Sequence, residues 1–317
     1  MRSKNKVLAR SANFAWIFIR ICIVAGTAYY ILLPFFTKIS VAFMSREDLY
    51  DTTVRLVPRN FSLETYRRVI EFMDYYSALL NTFGLSLLVT VLQLASCLLV
   101  GYGLARFTFP FKRLLFMLVI LTLIIPPHII IIPSFLNFRF FDFFGLINLT
   151  TGNTLNLTGS IWPFILNGSM AMGLRNGLYI FVARQFFRNV PKELEDAALI
   201  DGASPFKTFL AVMVPIAKPI MTIIIILSFA WQWTDVFYTT WYFSSANLLA
   251  RRLDTLADVI AVYDARAEGL LIGALDINYM TQINGAGSIV VLAPLVVFYL
   301  FVQRQFIESV DRAGIVG

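Results

Sequence analysis

The stretch PKELEDAALIDGASPFKTFLAVMVP, residues 191–215, decides the fold because it sets a polar, two-helix insert between long apolar segments. Pro191 opens a first short helix, since the missing N–H of proline has no partner in a first helical turn. Gly202 ends that helix because glycine tolerates left-handed backbone geometry. Ser204 can then cap a second helix that begins at Pro205. The pattern predicts a compact two-helix unit, called here the knob.

The two helices of the knob have different surfaces. Acidic side chains lie in the first half of the first helix, where the helix dipole favours negative charge; they are Glu193, Glu195 and Asp196. In the second helix the apolar residues fall on one face at helical spacing; they are Phe206, Phe209, Leu210 and Met213. An apolar face on a polar insert indicates a surface that presses into another protein.

Within the knob, DAALIDGASPFKTFLAVMVP closely resembles the EAA signature of permease subunits of ATP-binding cassette importers. That signature reads EAA, then DGA, then a hydrophobic residue followed by Leu and Pro. The matching residues are Asp196 in place of the first Glu, Ala197, Ala198, Asp201, Gly202 and Ala203. Because Asp196 is one methylene shorter than Glu, Glu195 next to it could substitute as the pairing acid.

The resemblance extends over roughly residues 60–240 and 285–317. Four further segments are similar to the carbohydrate branch of these importers, and to the smaller permease of a maltose transporter in particular: FSLETYRRVI, LARFTFPFKRLLF, LIIPPHIIIIP and VARQFFRNVPKELEDAA. The last residues, APLVVFYLFVQRQFIESVDRAGIVG, are similar to the closing segment of that branch. An ordered set of this kind is far more specific than the signature alone.

The composition supports a membrane protein independently. Hydrophobic residues make up 58% of the chain and charged residues 14%, whereas soluble domains carry about 25% charged residues. A membrane span needs roughly 20 apolar residues, and six segments qualify: about 15–37, 79–103, 113–136, 160–183, 217–240 and 287–303. The predicted fold class is therefore all-α, an integral membrane protein with six transmembrane helices and a cytoplasmic two-helix coupling loop.

The distribution of charge predicts the orientation through the positive-inside rule. Lys and Arg outnumber Asp and Glu over the pieces 1–14, 104–112, 184–216 and the tail after 303, with their flanks. Both termini and the knob are thus expected in the cytoplasm of a multi-pass cell-membrane protein. The domains expected are 1–74 (N-terminal tail, first span and outer loop), 75–307 (permease core) and 308–317 (cytoplasmic tail). The first span lacks a small-residue cleavage site, so we interpret it as a retained anchor.

Enzymatic, metal-binding and nucleic-acid functions are not expected. Cys22 and Cys97 form no CxxC pair, and His128 is the single histidine, which leaves no cluster for catalysis or for a metal ion. A GxxxxGK[ST] phosphate-binding motif is missing from the sequence, so any ATP must be bound by another subunit. The basic charge is spread over several short loops instead of one face, which argues against nucleic acid. We expect no cofactor.

The aromatic run that closes the fifth predicted span is a candidate substrate pathway. Helical spacing places Trp231, Asp235 and Tyr238 on one stripe, while Trp233 points elsewhere. A ring offers a flat apolar surface and a carboxylate accepts hydrogen bonds from hydroxyl groups, a pairing that suits a sugar. Trp and Tyr also gather at membrane interfaces, so a membrane-anchor role stays open.

Three other features lie at membrane depth. Arg175 is a functional candidate because an intramembrane Arg is rarely inert; the alternatives are a water-filled vestibule or a shifted boundary of the fourth span. Pro126 and Pro127 are expected to bend or end the third span. Close helix packing is predicted at a group of glycines: Gly84, Gly101 and Gly103.

The resemblance implies one subunit of an ATP-driven importer of a sugar or oligosaccharide. Its implied partners are a homologous second permease, a cytoplasmic ATPase dimer that grips the knob, and an extracytoplasmic solute-binding protein, for which the outer connector 241–286 is a docking candidate. The expected ATPase-docking residues are Glu195, Asp196, Ala197, Ala198, Asp201, Gly202, Phe206 and Phe209. The alternative is an ion-coupled secondary transporter or channel, which would favour broken helices near the midplane and an internal repeat.

Overall fold

The computed structural model describes the backbone of residues 2–267 and 276–314, and the side chains of residues 14, 16–267 and 276–305. That part of the chain is helical and contains two isolated β-bridges but no strand. The helices are α1 (Arg2–Ala42), α2 (Arg46–Tyr50), α3 (Glu64–Phe72), α4 (Tyr75–Arg106), α5 (Lys112–Ile124), α6 (Pro127–Arg139), α7 (Leu146–Thr151), α8 (Trp162–Ser169), α9 (Asn176–Asn189), α10 (Glu193–Ile200), α11 (Pro205–Thr208), α12 (Val214–Ile216), α13 (Lys218–Trp233), α14 (Phe237–Tyr242), α15 (Leu249–Ala267) and α16 (Ile277–Gly314). A π-helical turn, Phe209–Met213, joins α11 to α12.

The chain divides into two compact units. Unit 1 comprises Met1–Phe72 and Leu256–Val290, and unit 2 comprises Met73–Thr255 and Val291–Gly317. Each unit is therefore assembled from two separate parts of the chain, and the long helices α15 and α16 contribute to both.

In unit 1 the N-terminal part of α16 contacts the C-terminal end of α1, and α3 contacts the second half of α15. The buried Gln282 side chain donates hydrogen bonds to the carbonyls of Val41 (3.1 Å) and Met44 (2.6 Å). Arg68 donates to Asp264 (2.9 Å), and this hydrogen bond holds the pKa of Asp264 below its ordinary value. Asp264, an acid of the connector expected to meet a solute-binding protein, is thus paired within its own unit.

The core of unit 2 is α4, which packs against α8, α9 and α13. At Gly101 a Cβ atom would lie 2.7 Å from the Ala183 Cβ, so α4 and α9 approach as closely as glycine permits. The close packing predicted for Gly101 is confirmed. It is wrong for Gly84, which has no such neighbour within 4 Å, and for Gly103, where a Cβ would meet only Phe107 at 3.9 Å.

The structure does not confirm that each of the six predicted spans is one uninterrupted helix. Over the described residues, three continuous helices are long and apolar enough to cross a membrane: Trp16–Ala42, Tyr75–Arg106 and Ile277–Gln305. Two more candidates are bent pairs, α5 with α6 at 108°, and Pro205–Ile216 with α13 at 79°. The bend expected at Pro126 is confirmed, because proline cannot continue the helical hydrogen-bond ladder.

The fourth predicted span, 160–183, is divided into α8 and α9. Between them the backbone takes left-handed geometry at Ala171 (φ 57°) and Arg175 (φ 61°). Non-glycine residues adopt this conformation infrequently, so hydropathy alone did not indicate the break. The fifth predicted span, 217–240, likewise ends early, at Trp233.

Candidate functional site

The local structure of the knob follows its sequence. Gly202 has φ of +82° and follows Asp201, the C-cap of α10, as expected for a glycine that ends a helix. The Ser204 hydroxyl accepts a hydrogen bond from the Lys207 N–H (3.3 Å), and Pro205 begins α11. Both backbone predictions are confirmed, although α10 begins two residues after Pro191, at Glu193.

The single apolar face predicted for the second helix is wrong. Phe206 and Leu210 are exposed, whereas Phe209 and Met213 are buried in unit 2. The segment also contains the π-helical turn, in which the Val214 N–H bonds the Phe209 carbonyl. Bonding from i to i+5 changes the spacing of side chains around the axis.

Phe209 packs into the chain's own core. Its ring lies 4.9 Å from the Tyr102 ring and 6.4 Å from the Phe187 ring, measured between centroids. This side chain therefore anchors the knob to the core of unit 2. Phe206 stays exposed and is the aromatic residue available to a partner.

Glu195 is also turned into its own chain. Its carboxylate lies 3.2 Å from the Arg106 guanidinium, and both side chains are largely buried. Arg106 also donates a hydrogen bond to the Val190 carbonyl (2.6 Å), so it contacts both α10 and the C-cap residue of α9. Because Glu195 is engaged in this way, it cannot replace Asp196 as a free acid without breaking the ion pair.

The exposed surface of the knob combines acids with apolar side chains. Asp196, Ala197, Asp201 and Gly202 are exposed, and Ala198 is half-buried. Sequence reasoning missed two apolar residues at the end of α10, Leu199 and Ile200, which are 45% and 85% exposed. Their position immediately before the Asp201–Gly202 turn was the one sequence signal that could have indicated their exposure.

The second candidate site is a cavity of about 350 Å³ in unit 2, called here the polar cavity. It lies where helices are interrupted: at the α5–α6 bend, at the α8–α9 break and beside α13 and α14. Apolar residues of the bend form much of its wall. Its polar lining comprises Gln93, Thr122, Ser134, Asn167, Arg175, Asn176, Gln232, Tyr238 and Tyr242.

Arg175 and Trp231 form a stacked pair beside this cavity. The guanidinium carbon lies 4.4 Å from the centroid of the indole ring, a cation–π contact. Arg175 precedes α9 directly and both side chains are accessible. The fourth-span Arg and an aromatic residue of the fifth span, separate candidates in sequence, are therefore brought together.

The stripe of Trp231, Asp235 and Tyr238 does not exist as one helical face. Helix α13 ends at Trp233, and Asp235 caps α14, accepting hydrogen bonds from the N–H groups of Tyr238 (3.1 Å) and Thr239 (2.9 Å). Tyr238 lines the polar cavity, whereas Asp235 does not.

Trp233 points elsewhere, as expected. It is 2% exposed and its indole N–H donates to the Val291 carbonyl (3.1 Å). An interfacial membrane anchor keeps its polar edge near water, so Trp233 is a core residue instead.

Comparisons with known proteins identify related chains. The family model of the "Binding-protein-dependent transport system inner membrane component" matches residues 97–311. The trehalose transport system permease protein SugB of Mycobacterium tuberculosis is 28% identical over 288 residues, 91% of this chain and 93% of that protein. The arabinooligosaccharides transport system permease protein AraQ of Bacillus subtilis is 26% identical over 77% of this chain and 74% of its own length.

Two further matches are to proteins of transport systems for other substrates. The sn-glycerol-3-phosphate transport system permease protein UgpE of Pectobacterium atrosepticum is 26% identical over 88% of this chain and 90% of its own length. Among solved structures, a chain of a bacterial ABC transporter involved in the import of the acidic polysaccharide alginate matches with a TM-score of 0.71 and 20% identity. This match covers 93% of the present chain and 98% of the other, so the two share a fold.

Proposed function

Because the chain belongs to the family of binding-protein-dependent transport system inner membrane components, we propose that it is the permease subunit of an ATP-driven importer of a sugar or oligosaccharide. The carbohydrate class is supported by the similarity to the trehalose and arabinooligosaccharide permeases. The family implies a second permease, an ATPase and a solute-binding protein as partners.

The knob is the proposed docking site for the ATPase. The observation that carries this step is its exposed surface, in which Phe206 and Ile200 flank the Asp201–Gly202 turn. Exposed apolar side chains grouped on a polar insert are typical of an interaction site. Contact with the ATPase is assigned to Asp196, Ala197, Ala198, Asp201, Gly202 and Phe206, while Glu195 and Phe209 fix the knob to the core.

An ion-coupled secondary transporter is the alternative. The breaks between α5 and α6 and between α8 and α9 are a feature that such transporters also use. The family match and the exposed knob favour ATP coupling, because an ion-coupled transporter needs no cytoplasmic docking site for an ATPase. Uptake by the reconstituted complex should require ATP and persist with ionophores; uptake abolished by ionophores would support the alternative.

Replacing Gly202 with Val tests the docking site directly. A β-branched residue is a severe outlier at φ of +82°, so the Asp201–Ala203 turn should change its path and uncouple the ATPase. We expect ATP-driven uptake to fall at least about tenfold, the equivalent of a 1.4 kcal/mol effect, while the amount of assembled complex stays near normal.

Gly152→Val is the matched control. Gly152 also has left-handed geometry (φ +70°) and open space around its Cβ position, but it follows α7, outside the knob. Uptake should survive this change. Equal uptake in the Gly202 and Gly152 variants would remove the docking assignment.

A further inference from the structure

The polar cavity holds a single positive charge. Among the described residues that line it, Arg175 is the only one with a charged side chain. Within the part of the chain whose side chains are described, four ion pairs occur and none involves Arg175. The Asp235 carboxylate is engaged at the start of α14.

Helix α9 adds to this positive potential. Its first residue, Asn176, follows Arg175 directly, and the N-terminus of a helix carries a partial positive charge. With 14 residues and a rise of 1.5 Å per residue, α9 places Arg175 about 21 Å from the cytoplasmic knob. Interrupted helices of secondary transporters direct such N-termini at anionic groups of their substrates, and the same electrostatics apply to any helix N-terminus.

One buried hydrogen-bond donor of the cavity lining has no partner among the described residues. This donor is the amide nitrogen of Gln232, which lines the cavity and is 4% exposed. A buried donor without a partner is costly, and a ligand oxygen would satisfy it. The Trp231 ring stacks on the guanidinium from beside the cavity.

We propose that the polar cavity binds a carbohydrate that carries a carboxylate or a phosphate, with the anion on Arg175 and the start of α9. A guanidinium forms bidentate hydrogen bonds to either anion. The hydroxyl groups of the same ligand meet the Gln232 amide. This inference rests on the proposed function and narrows its substrate class to anionic sugars.

Binding to the purified transporter complex in lipid nanodiscs tests the proposal. The probes are two matched pairs, galacturonate against galactose and glucose 6-phosphate against glucose, which distinguish a carboxylate from a phosphate. At least one anionic probe should bind about tenfold or more tightly than its neutral partner, the range expected for one charge-assisted hydrogen bond. Arg175→Gln should abolish that difference, and Arg175→Lys should retain part of it.

Arg20→Gln is the matched control, since Arg20 also stacks on an indole ring, that of Trp16 on α1, at 4.8 Å. This variant should keep the preference for the anion. Failure of both anionic probes to bind, or a preference that survives Arg175→Gln, would overturn the assignment. ATP-dependent uptake by the same complex tells the two failures apart: uptake that needs ATP keeps the proposed function even when the anion site is rejected.

Discussion

At the scale of single residues, the ion pair of Arg106 with Glu195 is the contact that fixes the knob. Removing one partner of a buried ion pair leaves an uncompensated charge and costs about 3–5 kcal/mol. The pair lies 3.2 Å apart with both side chains largely buried. Its role is positional, because it joins the end of α4 to α10.

A double-mutant cycle measures this role. Arg106→Gln should lower the thermal stability of the complex and reduce ATP-driven uptake, because the Glu195 carboxylate is then buried without its cation. The double variant with Glu195→Gln should recover part of the loss, giving an interaction energy of about 0.5–3 kcal/mol. Thermal unfolding in detergent and uptake per assembled complex are the readouts.

The adjacent acid supplies the control for that cycle. Asp196 is exposed, so Asp196→Asn should leave stability within about 0.5 kcal/mol of the wild type while weakening ATPase docking. Strictly additive effects of Arg106→Gln and Glu195→Gln would show that the two side chains do not depend on each other.

The sequence correctly predicted properties that depend on the local backbone of a single residue. Gly202 and Ser204 behaved as expected because left-handed geometry and helix capping are local. Glu195 and Phe209 were assigned to the exposed surface, yet both turn inward. Adjacent acids look equivalent in a sequence, and a π-helical turn leaves no clear sequence signal.

At the scale of elements, α4 and α9 are in close contact at Gly101. A leucine at Gly101 would drive its side chain into Ala183, because even a Cβ would lie 2.7 Å from the Ala183 Cβ. Overpacking of this kind costs typically about 1–3 kcal/mol. We therefore expect Gly101→Leu to lower the melting temperature and the amount of assembled complex.

Gly84→Leu makes the same substitution on the same helix at a position with open space within 4 Å. Its melting temperature should remain near that of the wild type. If the Gly84 and Gly101 variants melted equally early, the loss would reflect leucine in α4 in general and not the contact with α9.

Hydropathy located the apolar segments but not their interruptions. The bend at Pro126 was predictable because proline removes a backbone donor. The α8–α9 break depends on left-handed geometry at Ala171 and Arg175, neither of which favours it intrinsically. The polar cavity, which forms at these breaks, was for that reason outside the reach of the sequence pattern.

At the scale of the whole molecule, the distribution of charge predicts which connectors face the cytoplasm. Single cysteines at Ser204 and at Thr154, in a background without Cys22 and Cys97, test this orientation, since both positions are exposed. A membrane-impermeant maleimide added to intact cells should label position 154 and spare position 204. Permeabilised cells, in which both should react, provide the control; labelling of position 204 from outside would invert the orientation.

Helix α9 runs without interruption from Asn176, beside the polar cavity, to Asn189, at the entrance to the knob. If the position of α9 differs between two transport states, a ligand bound at Arg175 and an ATPase docked on the knob both shift the equilibrium between those states. Thermodynamic linkage then makes the influence mutual: the factor by which the docked ATPase changes affinity for the ligand equals the factor by which the ligand changes affinity for the ATPase. Ligand binding in the cavity would therefore strengthen or weaken ATPase docking by the same factor by which ATPase docking strengthens or weakens ligand binding.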